Sequence, residues 1–205
     1  MVTAAIERRI DCICIADHNE TKGALEALRF ASGKPILVIP GIEVKAKEGD
    51  ILALNIKEKI AKGLGAEETI KEINKLGGMA IIVHPFAWPK HFKGNIRDLE
   101  EKNPDLLIGI EVLNAAIPDY ANKKALDLAK SFGLLFCAGS DAHETDSIGK
   151  AFLEIEKDCH SAQELLEEIR KGRVVAKGGD ISIFEKYMGV AKRTIRKLKR
   201  GKLRV

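Results

Sequence analysis

Five side chains with donor atoms suited to a hard or borderline metal ion stand at equivalent places in the sequence: His18, Glu43, His84, Asp141 and His143. Each follows a short apolar run. Cys12-Ile-Cys-Ile-Ala16 leads into Asp17-His18-Asn19, Ile36-Leu-Val-Ile39 into Gly41-Ile42-Glu43, Met79-Ala-Ile-Ile-Val83 into His84-Pro85, and Leu134 to Ala138 into Gly139-Ser140-Asp141-Ala142-His143. Runs of this length bounded by turn residues read as buried strands. One Asp-x-His after a strand says little, because an Asp that caps a helix and a His on the surface are both commonplace. Four strands that deliver such groups at the same end say more, since α/β sheets keep their chemistry at the C-terminal ends of strands. Nitrogen and oxygen donors without thiolates suit Zn²⁺, Mn²⁺ or Fe²⁺ rather than a Cys-rich structural zinc site. Five ligands exceed what one catalytic ion takes from a protein, so the set predicts two or more ions. Such ions hold a hydroxide between them and clamp an attacked phosphorus or carbonyl. Asp17, beside His18, and Asp50, at the start of its strand, are candidate catalytic carboxylates for proton transfer; each also reads as a turn or cap Asp.

The elements that must position these groups alternate along the chain. Residues 1 to 9 read as a helix, followed at once by a strand from Ile10 to Ala16. A helix from Thr21 to Ala31 ends at Ser32-Gly33. A strand from Ile36 to Val44 turns through Lys45-Ala-Lys-Glu-Gly49 into a second strand, Asp50 to Ile56, as a hairpin or tight return. Helix 66–76, with acids in its first turn, stops at Gly77-Gly78 before strand 79–83. A long loop holding Trp88 and His91 follows, then a short helix near Arg97 to Lys102, strand Leu107 to Leu113, helix Asp119 to Phe132 and strand Leu134 to Ala138. Strand Ala151 to Ile155 and a helix opened by the capping sequence Ser161-Ala-Gln-Glu164 complete the series. Strand alternating with helix predicts a mainly parallel sheet in an α/β fold. His91 lies on the longest insertion beside the candidate site, and it reads either as a substrate contact or as a neutral surface residue.

Composition narrows the partners. A chain of 205 residues with 45% hydrophobic content can bury one substantial core. No apolar run approaches the roughly 18 residues of a membrane span and the first residues lack a signal-peptide core, so no membrane partner and a cytoplasmic location are expected. Cys12, Cys14, Cys137 and Cys159 read as reduced, packed cysteines rather than a disulfide framework, and thiolate catalysis is not expected of them. Nine Lys or Arg and no acid fall from Lys186 to Val205, leaving 25 basic against 30 acidic residues before them. The expected division is a body over 1–179 and a basic C-terminal helix or tail over 180–205. Such a tail either docks with a solvated basic face or contacts nucleic-acid phosphates.

Ala16-Asp17-His18-Asn19, Gly41-Ile42-Glu43, His84-Pro85, Gly109-Ile110-Glu111-Val112-Leu113-Asn114 and Gly139-Ser140-Asp141-Ala142-His143 resemble, in order and spacing, the successive motifs of the polymerase and histidinol phosphatase (PHP) superfamily. The resemblance covers roughly residues 1 to 172. It implies a distorted (β/α)₇ TIM-like barrel, two or three divalent metal ions (Mn, Zn or Fe) at the strand ends, and hydrolysis of phosphoesters. His18, Glu43, His84, Asp141 and His143 would be metal ligands, with Asn114 near the substrate. Two departures stand out. Family members open with a strand ending in a His-x-His pair, and this chain has no such motif; its first nine residues resemble the helix after that strand. The barrel is therefore expected without its first strand, with weakened metal binding and edges open to self-association. Many relatives also place a His at the position of Asp50.

The function these expectations converge on is metal-dependent hydrolysis of a small phosphorylated metabolite or nucleotide, with a metal-held hydroxide attacking phosphorus. The alternatives are a nuclease acting on nucleic-acid ends and a catalytically weakened barrel that binds RNA or a protein partner.

Overall fold

The computed structural model describes residues 1–103, 106 and 108–178, together with the backbone of 203–204. The basic tail expected over 180–205 lies otherwise outside these residues, as does the tail side of the expected boundary.

Strands β1 (Cys12–His18), β2 (Leu37–Lys45), β3 (Asp50–Leu54), β4 (Met79–Ile82), β5 (Ile108–Asn114) and β6 (Leu135–Gly139) form one sheet in sequential order. It is a curled, open half-barrel: the distorted barrel short of a strand that was expected. The sheet is mixed rather than parallel throughout. β1 pairs with β2, β4 with β5 and β5 with β6 in parallel, whereas β2–β3 and β3–β4 are antiparallel. The cause is the four-residue link 46–49, which is too short for a crossover and so makes β2 and β3 a hairpin. β7 (Ala151–Ile155) leaves this sheet and pairs antiparallel with β8 (Val174–Gly178) and β9 (Leu203–Arg204).

Helices α1 (Val2–Glu7), α2 (Lys22–Phe30), α3 (Ala66–Lys75), α4 (Ile96–Lys102), α5 (Asp119–Phe132) and α6 (Ala162–Arg170) link the strands. α5 shows why local sequence suffices for many of them. Ala121, Ala125, Leu126 and Ala129 recur at helical spacing and are buried, Asp119 opens the helix, and Gly133 ends it at φ 64°. That left-handed backbone suits glycine, and it lets Leu134 N–H donate back to Ala129 O at 3.0 Å. At the start of α6, Ser161 Oγ accepts from Glu164 N–H at 3.2 Å; the Glu164 carboxylate reaches one residue further back, accepting from His160 N–H at 3.0 Å.

The core is packed on both faces of the sheet around Ile39, Ile42, Ile51, Leu54, Ile81, Ile82 and Ile110, all fully buried, with Leu54 and Ile81 on the cavity side. Burying each such side chain contributes about 1.5–3 kcal/mol. Cys12, Cys137 and Cys159 are buried, Cys14 is half-buried, and all four are free thiols, as the sequence suggests.

Candidate metal centre

A cavity of about 390 Å³ opens at the C-terminal end of the parallel strands. Asp17, His18, Glu43, His84, Asn114, Asp141 and His143 all line it, and so does Glu111. Three local devices bring these groups together.

The hairpin is the first. Glu43 faces Leu52 across the β2–β3 pair and Lys45 faces Asp50, so Asp50, at the start of β3, lies at the same rim as the end of β2. Side chains alternate along a strand, which puts Asp50 on the face of Leu52 and Leu54, both cavity residues. The second is the backbone at His84, whose φ of 33° breaks the pleat after β4. This left-handed turn lets His84 follow Val83 onto the cavity wall. A non-glycine residue held in this region stores strain of order 1–3 kcal/mol, and Asp141 shares the feature at φ 48°. The third is a bulge in β5: Glu111 is opposite Cys137 and Leu113 opposite Ala138, so Val112 is extra. Residues three apart on a regular strand point to opposite faces. The bulge puts Glu111 and Asn114 on one face, where Asn114 Nδ2–H donates to Glu111 Oε2 at 3.0 Å.

The result is a tight group and a loose one. Glu43, Asp50 and His84 each offer a ligand atom, and these atoms all lie within 4.8 Å of one another. Glu43 holds the centre: its Oε1 lies 3.4 Å from His84 Nε2 and its Oε2 3.6 Å from His18 Nδ1. Burial pushes the Glu43 carboxyl up, but the bond to His84 and the charges of His18, His84 and Lys90 outweigh it and hold the group below the usual carboxylate range. For His84, burial disfavours the charged ring, yet Glu43, Glu111 and Asp141 together raise its pKa. His84 Nδ1 is buried with no hydrogen-bond partner among the described residues. A buried ring nitrogen without a partner costs about 1–3 kcal/mol, which a ligand at that atom would remove. One imidazole and two carboxylates, each offering a donor atom within 4.8 Å of the others, form a set that fits a divalent cation.

Asp141 joins the tight group indirectly. Asn114 Nδ2–H donates to Asp141 Oδ2 at 3.3 Å as well as to Glu111, and Asn114 is itself pinned through N–H to Asn122 Oδ1 at 2.9 Å. His18 and His143 are looser: their side chains are 52% and 72% exposed, and His143 Nδ1 lies 3.1 Å from its neighbour's backbone, Asp141 O. The Asp17 carboxylate fills the space beside Gly23 in the first turn of α2, a favourable place for an anion. His91 does not line the cavity; its ring stacks on Trp88.

Glu111 is the functional candidate that residue-by-residue reading passed over. It accepts from His84 N–H at 2.8 Å and from Asn114, and burial drives its pKa up to about 7. The signal was a lone acid within the apolar strand Ile108–Leu113, since Glu is almost never buried without a partner.

Comparison with solved structures decides the fold. A two-domain protein from Bacteroides vulgatus, containing a predicted PHP-like metal-dependent phosphoesterase, superposes with a TM-score of 0.68 at 18% identity. The match covers 86% of this chain and 59% of that one. This chain has the PHP fold. The profile of the PHP-associated family matches residues 119–174, which include Asp141 and His143. The PHP architecture is also shared with the lesion-specific endonuclease EndoQ of Pyrococcus furiosus, at TM-score 0.63 and 17% identity over 87% of this chain and 53% of that one. An uncharacterised protein of Methanocaldococcus jannaschii is 36% identical over 117 residues, 56% of this chain and 64% of that relative. The chain thus spans less than two thirds of the length of these relatives. No described helix is long and apolar enough to cross a membrane.

Proposed function

We propose that the chain is a metal-dependent phosphoesterase that uses Glu43, Asp50 and His84 as its inner ligand group. The supporting observation is the convergence of these donors within 4.8 Å of one another, with the buried His84 ring meeting Glu43 Oε1 through Nε2 at 3.4 Å. In this reading His18, Asp141 and His143 extend the donor set to a second or third divalent ion (Mn, Zn or Fe). When bound, such ions supply Lewis acidity, neutralising phosphoryl charge and making water a nucleophile near pH 7. The protein's own groups then position and transfer protons. Glu111 Oε2 ties the His84 backbone to the Asn114 amide, and Asn114 in turn orients Asp141. Asp17 is kept in this reading as a proton-transfer candidate at the end of β1, with its carboxylate beside Gly23 in the first turn of α2.

The experiment is phosphate release from a panel of phosphomonoesters and diesters with Mn²⁺, Zn²⁺ or Fe²⁺ added. The expected result is metal-dependent turnover, abolished by chelation and lowered about 100-fold or more in Asp50→Asn with an unchanged circular-dichroism spectrum. Failure to take up any divalent ion, with no turnover on the panel, would sink the proposal.

A further inference from the structure

The loop from Pro85 to Asn95 carries an indole that packing alone does not account for. Trp88 is 78% exposed, the most exposed large apolar side chain among the described residues. Its neighbours in the same loop are anchored. Ala87 and Phe92 are buried; Ala87 N–H donates to His84 O at 3.0 Å and Phe92 N–H to Pro85 O at 2.9 Å. Lys93 N–H donates to Glu48 O at 2.6 Å, and the Phe92 ring lies so close to Gly49 and Gly94 that neither could carry a Cβ without displacing it. The loop is therefore a fixed bracket that starts from the ligand His84 and holds Trp88 outward.

On that bracket the His91 ring lies nearly parallel to the indole, with 5.7 Å between centroids and 18° between planes. Trp88 is four positions on from His84, so their Cα atoms are at most roughly 14 Å apart, and the Ala87–His84 turn shortens this. Lys90, between the two rings in sequence, is close enough for its ammonium to be felt by the Glu43 carboxylate. A flat aromatic face and a cation thus stand on the loop that leads away from His84, a residue of the cavity wall. Exposed indoles with an adjacent cation bind the π-face of a base, and the contact is worth roughly 1–3 kcal/mol.

We propose that Trp88 and His91 form a stacking platform for the nucleobase of the substrate, with Lys90 contacting its phosphate, so that the phosphoester hydrolysed here belongs to a nucleotide. This rests on the phosphoesterase reading for its catalytic sense, but the platform is tested by binding alone. A sugar phosphate brings no π-face to the indole, whereas a nucleotide brings a π-face for the rings and a phosphate for Lys90.

Trp88 is the single tryptophan of the chain, so indole fluorescence reports this position and no other. The full chain is titrated with adenosine 5′-monophosphate and, separately, with ribose 5-phosphate, with inner-filter correction and the free indole amide as collisional control. The expected result is saturable quenching by the nucleotide, absent with ribose 5-phosphate. By calorimetry, Trp88→Ala should weaken nucleotide binding about 5- to 150-fold while Trp88→Phe retains most of it. Quenching that stays linear and equals the collisional control, or that is the same for both ligands, overturns the platform. If ribose 5-phosphate is hydrolysed as well as the nucleotide while Trp88→Ala changes neither, the phosphoesterase reading survives and the base platform does not.

Discussion

Strands β1 and β5 both run parallel into the cavity and both end in site residues, yet they are built differently. Every residue of β5 is buried, whereas only Cys12 of β1 is, and Asp17 and His18 at its end are exposed. β5 lies between β4 and β6; β1 pairs with β2 alone among the described residues. The groups on β5 are accordingly fixed by hydrogen bonds, Glu111 to the His84 backbone and Asn114 to Asn122. His18 on β1 has one distant carboxylate for company. Position at a strand end is therefore not enough to order a ligand; covered edges on both sides of the strand do that.

The contrast can be broken first by cavities. Ile110→Ala in β5 should destabilise by about 2–5 kcal/mol, against less than about 1.5 kcal/mol for Ile15→Ala on half-exposed β1. Urea denaturation of both variants checks this, and equal losses would mean that β1 is as tightly packed as β5.

A second effect, of roughly 3 kcal/mol, belongs to Glu111 in metal-free protein. Burial raises this carboxyl from 4.5 to about 7, so between those pH values the folded chain keeps a proton that the unfolded chain has released. The contribution is complete below about pH 4.5 and lost as pH rises through 7. Raised His84 acts with the same sign. Melting temperature should fall from pH 5 to pH 8, and in Glu111→Gln most of that slope should vanish; a slope unchanged by the substitution would assign it elsewhere.

The third effect concerns affinity. His84→Ala, which removes a buried donor from the tight group, should weaken Mn²⁺ binding by roughly 100-fold, while His18→Ala, on the open strand, should cost about 10-fold or less. Competition with a chromophoric chelator measures both. Similar losses would mean that β1 becomes ordered once the ion is present.

Most of the fold could be read from the sequence because its signals are local. The apolar runs, the Gly133 stop of α5 and the Ser161 cap each act over a few residues, and the helix from Asp119 to Phe132 appears with the bounds expected of it. Strand β1 runs two residues past its expected end at Ala16, since Asp17 and His18 continue the pairing with β2 through Glu43. Polar residues there look like a turn, but a neighbouring strand still supplies backbone partners. The short link 46–49, which cannot make a crossover, reverses β3 and makes the sheet mixed. The candidate site was legible where a donor follows an apolar run, as for Glu43 and His84. It was not legible where a long-range device does the positioning: the β5 bulge that turns Glu111 toward Asn114, or the convergence of Asp50 on Glu43 and His84. His91 reads the same in sequence whether it faces the cavity or a neighbouring ring, and here the ring contact is Trp88.

The hairpin of β2 and β3 also bears on the order in which the centre is assembled. Glu43 and Asp50 are separated by six residues, and a hairpin of this span closes in about 1–10 μs, far sooner than pairings that join distant parts of a chain. On that ordering the two carboxylates would meet while β5 and β6 are still unpaired, and their mutual repulsion would be felt before His84 arrives to offset it. A divalent cation in the refolding buffer would act at that step, as a counter-charge that speeds closure of the sheet rather than as a late addition to a finished protein.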